Sequence, residues 1–120
     1  MAAECNVEPA VRALAGILRS QPEFQAYMEA AHALDAEETV QDLLRQIRSH
    51  QLALQWGQGE RAEHRAALVQ LQDDLAAQPA VQSYYRAERA LRELFRAVDA
   101  AISAAAGVDL AANARRSCCG

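Results

Sequence analysis

Lysine is absent from this 120-residue chain, and all twelve of its basic residues are arginine. Sixteen acidic residues leave a net charge of −4, which argues against a duplex nucleic-acid binder, because such proteins carry a basic face. The exclusive use of arginine reads as genomic base composition before it reads as phosphate recognition. Aromatic residues are scarce, six in all, so any core must be assembled from aliphatic side chains and from 28 alanines. No segment alternates apolar and polar with period two, which excludes strands. The longest apolar run, Ala100 to Val108, is interrupted by Ser103 and falls far short of the roughly 20 residues that span a bilayer. The opening MAAECNVEP carries acids and no apolar stretch, so it is not expected to be a signal peptide. Three cysteines, an odd number, predict a reduced, cytoplasmic setting with free thiols and no disulfide framework.

What the chain does have is helical periodicity. Its length suits one domain, and its alanine, arginine and acidic content suits long helices or coiled coil. Between Gln78 and Ala106, apolar residues at Val81, Tyr84, Ala87, Leu91, Leu94/Phe95, Val98 and Ile102 step by three and four, which draws one stripe along a helix. Pro79 suits the first turn, where its missing N–H breaks no bond, and Gly107 suits a left-handed C-cap. Such a helix would be about 42 Å long. That exceeds the width of a small domain, so part of the stripe is expected to need a partner chain.

Four shorter helices are predicted ahead of it. The first runs from Pro9 to about Ser20, with Val11, Leu14, Ile17 and Leu18 inward. Pro22 forces a break because the residue before a proline is pushed out of the α region. A second helix follows to about Leu34, with Phe24, Tyr27, Met28 and Ala31 on one side. Asp35 and Glu38 have the spacing of a capping box. They would open a third helix, to about Trp56, lined by Val40, Leu44, Ile47 and Leu54 and interrupted by Gln51. Gly57-Gln58-Gly59 reads as a hairpin turn, since the G-x-G-x-x-G pattern of a phosphate loop is absent. A fourth helix, to about Ala77, has Leu68, Leu71 and Leu75 inward. The fold class is therefore all-α: an antiparallel bundle of about five helices, oligomeric through helix packing. Residues 1–107 form one domain, and 108–120 a flexible, cysteine-containing tail.

The chain also repeats itself at an offset of 57. Leu14, Leu18, Gln21, Pro22, Gln25, Tyr27, Ala30, Ala33 and Leu34 recur as Leu71, Leu75, Gln78, Pro79, Gln82, Tyr84, Ala87, Ala90 and Leu91. Each unit is a helix, a Gln-Pro break and a second helix, with a tyrosine packed into the elbow. Pro22, Tyr27, Pro79 and Tyr84 are thus structural elbow residues, and pseudo-symmetric packing is expected within one chain or across a dimer.

Little in the sequence suits catalysis. His32, His50 and His64 form no His-x3-His or His-Glu-x-x-His pair and read as solvated or packing residues, with Glu60 and His64 a helix-surface pair. Asp73 and Asp74, like Glu37 and Glu38, are adjacent, so on a helix they diverge and form no acid/base dyad. Tyr84 and Tyr85 read as elbow packing. Trp56, beside the turn, is either local packing or a partner contact. On the long helix, Glu88–Arg92 and Arg89–Glu93 are four apart, a spacing worth a few tenths of a kcal/mol per pair. Its arginines form either a solvated face or a ridge for an acidic partner or RNA. In the tail, Cys118 and Cys119 follow Arg115 and Arg116, whose charge favours the thiolate. The readings left open are metal or cluster ligation, with thiols pooled from two chains or a partner, and redox-sensitive or incidental thiols. Cys5 has no such context.

In the order and spacing of these features, residues 8–107 resemble the YlbF/YmcA family of bacterial regulators. The resemblance rests on the first helix, the Pro22-Glu-Phe-Gln-Ala-Tyr27 elbow, the third helix and the short glycine turn. Gln78-Pro79-x-x-Gln82-x-Tyr84-x-x-Ala87-Glu88 with Leu91 completes it. The tail, from Gly107 to Cys118-Cys119-Gly120, resembles the ending of one branch. The resemblance implies a non-enzymatic, cytoplasmic regulatory adaptor that self-associates and works with other family members and a third protein. That complex would influence RNA processing by an endoribonuclease, and through it competence, sporulation and biofilm formation. The resemblance also carries an iron–sulfur ligand role to Cys118 and Cys119, with the cluster shared between chains or with a partner. From the residues themselves, not the resemblance, partner contacts would fall on Trp56, Arg89, Arg92 and Arg96, with no DNA and no membrane expected. Two other readings remain: a small thiol or metal protein acting through its tail, and a purely structural helical oligomer.

Overall fold

The structure, a computed structural model, describes residues 7–112. Five helices follow in order: α1 (Val7–Arg19), α2 (Pro22–Ala36), α3 (Glu38–Gln55), α4 (Arg61–Ala76) and α5 (Pro79–Ala106). There is no strand among the described residues. A further helical turn begins at 110–112, where the Ala112 N–H donates to Asp109 Oδ1. Asp109 thus caps this turn in the usual way. The rest of the tail and residues 1–6, with Cys5, Cys118 and Cys119, lie outside the described residues.

The helices form one long hairpin. Its first limb is α2 continuing into α3, and its second is α4 continuing into α5; α2 packs on α5 and α3 on α4. Two cross-limb contacts fix the direction. Tyr27 meets Tyr84, and His50, further along the first limb, meets His64, which is earlier on the second. The limbs are therefore antiparallel. The turn between them is made by Gly57 and Gly59, at φ 66° and 71°, a conformation open to glycine and strained for other residues. At the other end Gly107, at φ 71°, closes α5 with its N–H on the Ser103 carbonyl, as its position in the sequence predicts.

The elbows are duplicates. Gln21 and Gln78 are both extended, and each carries its side-chain amide back to its preceding helix, Gln21 to Ile17 O at 3.2 Å and Gln78 to Asp74 O at 3.3 Å. Gln25 Nε2 reaches Arg19 O and Gln82 Nε2 reaches Ala76 O in the same way. These amides donate to carbonyls of the last turn, where a helix leaves acceptors short of partners, and donors and acceptors are displaced by the same 57 residues in both elbows. The sequence repeat is thus a structural one.

Two expectations fail at the α2–α3 junction. Asp35 is not a cap: α2 continues to Ala36, and extended Glu37 precedes α3 without a capping side-chain bond. Leu44 and Met28, expected inward, are exposed, because α3 packs mainly against α4 and α2 mainly against α5, and the apolar stripe is wider than that contact. The molecule measures 68 × 37 × 21 Å with a radius of gyration of 20.8 Å, against roughly 14 Å for a compact domain of this length. The buried apolar residues are few: Val40, Ile47, Val81 and Leu91, of which Val40 alone is fully buried. Helix α1 buries nothing, with Val11 56% and Ile17 59% exposed, and on the far half of α5 Phe95 is 43% exposed.

Candidate interaction surface

The arginines singled out in the sequence lie on one strip. Tyr85, Glu88, Arg89, Arg92, Glu93 and Arg96 line a shallow, open groove, and their spacing of three and four places all six along one face of α5. A groove lined by a single helix has no opposing element and encloses nothing, so it suits a macromolecular contact and not a sequestered reaction. Arg92 Nη2 donates to Glu88 Oε1 at 2.7 Å, the expected pair. Arg89 and Glu93 form no ion pair, so the second expected pair is not made. The other ion pairs among the described residues, Glu8–Arg12 and Asp42–Arg45, also lie within single helices. Arg89 and Arg96 are left with their guanidinium forks exposed and without carboxylate partners, in the form that binds carboxylate or phosphate bidentately.

Trp56 follows α3 on the turn and is 70% exposed. The turn and the α5 strip sit toward opposite ends of the hairpin, so the structure does not unite Trp56 with Arg89, Arg92 and Arg96. Local packing, the alternative reading for this tryptophan, does not cover it.

Tyr27 and Tyr84 meet where α2 packs on α5, with hydroxyls 3.2 Å apart and ring centroids at 5.5 Å. Repeat-related residues in direct contact mark a local pseudo-two-fold axis between them. The hydrogen bond to Tyr27 holds the Tyr84 proton, and desolvation and the charges of Tyr27, Glu88 and Tyr85 add to the effect, so its pKa is pushed up to about 12. Tyr85 is exposed, touching Tyr84 edge-on with centroids 5.9 Å apart. It is part of the α5 strip, contrary to the packing role expected for it.

The histidines hold the contact that sequence reasoning missed. His32 is exposed, but His50 and His64 face each other across the limbs, with Nδ1 atoms 2.8 Å apart. His64 does not pair with the Glu60 side chain. Its Nε2 lies 2.8 Å from the Gln58 carbonyl, which can only accept, so that nitrogen carries a proton. The remaining bond then needs a single proton between the two Nδ1 atoms. Among the described residues, no three His, Cys, Asp or Glu side chains come together as a metal site, and no helix is long and apolar enough to cross a membrane.

The family model for "Control of competence regulator ComK, YlbF/YmcA" matches residues 7–105. The chain belongs to this family. The match runs from the start of α1 almost to the end of α5 and so takes in both repeats and the α5 strip. No curated protein and no solved structure matches the chain. The family is regulatory by its description.

Proposed function

We propose that the protein is a regulatory adaptor without catalytic activity, which self-associates and docks partner proteins in the complex that governs RNA processing by an endoribonuclease. The observation that carries this reading is the imbalance between core and surface. Four apolar residues are buried, while thirteen large apolar or aromatic ones are exposed among the described residues. Exposed apolar surface on this scale is a mark of association. The α5 strip adds a polar contact of defined chemistry: Arg89 and Arg96 would take carboxylates of an acidic partner surface, with Arg92 and Tyr85 beside them.

The test is affinity capture of the full chain from its native host, with mass spectrometry and transcript-end mapping in a deletion strain. The adaptor reading expects at least one other family member and a third protein, and altered transcript cleavage on deletion. The triple variant Arg89→Glu/Arg92→Glu/Arg96→Glu should lose the partner at least tenfold while keeping its own helicity. Recovery of the chain alone, with unchanged transcripts, would leave a purely structural oligomer and defeat the proposal.

A further inference from the structure

The glycine turn that makes the closed end of the hairpin sets two imidazoles against each other. His50 and His64 lie seven residues to either side of Gly57, and their Nδ1 atoms come within 2.8 Å. The rings are tilted by 58° with centroids 5.1 Å apart, so they meet through these nitrogens and are not stacked. One shared proton holds this rung between the limbs. The His64 Nε2–H is committed to the Gln58 carbonyl at 2.8 Å, which leaves Nδ1 of the neutral His64 ring bare, as an acceptor. The shared proton therefore belongs to His50 Nδ1. Both rings are half-buried, so the pair is not sealed from water.

We propose that this pair is a two-histidine clamp for a divalent transition-metal ion of tetragonal preference, Ni(II) or Cu(II), with water in the remaining positions. Imidazole nitrogens bind such ions at about 2.0–2.1 Å. At that length two ligands at right angles lie about 2.9 Å apart, whereas two ligands of a tetrahedral ion lie about 3.4 Å apart. The 2.8 Å spacing fits the first. The Gln58 carbonyl is a second, separate argument. Ligating histidines commonly give their other N–H to a carbonyl or carboxylate, which fixes the ring and its tautomer, and His64 has this arrangement before any ion arrives. An entering ion takes Nδ1 of both rings. The His50 proton moves from Nδ1 to Nε2 by exchange with water, so neither ring changes charge. Neighbouring charge does not oppose the ion. No charged residue lies three or four positions from His50, and those at that spacing from His64, Glu60 and Arg61, offset each other. The C-terminal end of α3 and the N-terminal end of α4 likewise bring dipole ends of opposite sign. Structural metal sites use four protein ligands; two make this a reversible one. A bound ion replaces one shared proton by two coordinate bonds and pins α3 to α4 beside the turn. The clamp is separate from the cysteine tail and goes beyond the adaptor reading without resting on it.

The test uses the full chain without a histidine tag, carrying Cys5→Ser, Cys118→Ser, Cys119→Ser and His32→Ala so that the pair holds its only imidazoles and no thiol competes. Measured against the same protein in EDTA, Ni(II) should raise the melting temperature by several degrees, and by more than Zn(II) at equal concentration. Cu(II) should give an electron paramagnetic resonance spectrum with splitting from two imidazole nitrogens. His50→Gln keeps an amide able to donate to His64 Nδ1, yet should lose the Ni(II) shift and one of the two nitrogens; His64→Gln should do the same. Each variant is compared with itself in EDTA, so a change in its own stability does not enter. No Ni(II) shift in the parent chain, an undiminished shift in the glutamine variants, or a larger shift with Zn(II) than with Ni(II) would each overturn the clamp. None of these outcomes bears on partner capture, so the adaptor reading stands or falls separately.

Discussion

The closed and open ends of this hairpin begin from the same helix–Gln-Pro–helix unit and finish differently. Along the limb pair α3–α4, Val40 and Ile47 of α3 are buried, Val40 only 1% exposed, although α4 itself holds no buried residue. At the open end neither α1 nor the part of α5 beyond Leu91 buries any residue fully. Apolar content does not explain the contrast, for α1 carries valine, leucine and isoleucine at helical spacing just as α4 carries leucine. Helix direction does. Two helices diverted at equivalent elbows can each be covered only if the opposite limb bends as well, and it bends once, at Glu37.

The contrast can be broken first through the core. Ile47→Ala should cost about 2–5 kcal/mol, the usual range for a large-to-small change at a buried site, whereas Val11→Ala should stay within about 0.5 kcal/mol for the isolated chain, as at exposed positions. Urea unfolding at low protein concentration compares them directly, and equal losses would mean that α1 is not bare. The turn that creates the closed end comes next. Gly57 and Gly59 share a left-handed φ, but an added Cβ at Gly57 meets nothing within 4 Å, while at Gly59 it comes 2.9 Å from His64 Nε2. Gly57→Ala should cost roughly 1 kcal/mol of backbone strain. Gly59→Ala should cost more, because it also displaces the imidazole from the Gln58 carbonyl; thermal melts of the pair would show this, and identical values would refute it. His50→Ala removes the rung itself and should cost about 1 kcal/mol, the net worth of one hydrogen bond. Hydrogen exchange should localise its effect to residues around the turn and leave α2 and α5 protected.

The smallest effect lies midway between the two ends. Tyr84 loses its proton at about 12 in the folded chain and at the ordinary 10.0 when unfolded. The folded state thus holds the proton more tightly, so this contribution to stability is complete below pH 10 and is lost as pH rises from 10 through 12. Tyr27→Phe removes the hydroxyl that holds it. Tyrosinate absorbance should then show Tyr84 ionising closer to the ordinary value, and an unmoved titration would assign the shift to desolvation alone.

Much of the fold was readable from residue order. Prolines at positions 22 and 79 placed two breaks, Gly107 placed the end of α5, and the repeat foretold two matching elbows. The missed features depend on relations between distant residues. His50 and His64 lie seven residues either side of Gly57, so the turn itself places them opposite each other; a search for short histidine spacings along one helix does not find that. The Asp35–Glu38 spacing suggested a cap, but the alanine-rich α2 continues past it, since spacing alone does not set backbone direction. On the candidate surface, the arginine strip followed directly from its spacing, whereas the failure of the Arg89–Glu93 pair and the exposure of Tyr85 depend on side-chain placement that a sequence pattern leaves open.

Because α5 is continuous, the helix that holds Val81 and Leu91 against the first limb also carries the uncovered far half. Any molecule that grips the far half only in its folded form adds its binding free energy to the folding of the whole chain, by mass action. If that molecule is a second copy of the chain, the melting temperature becomes a function of protein concentration, and dilution alone lowers it.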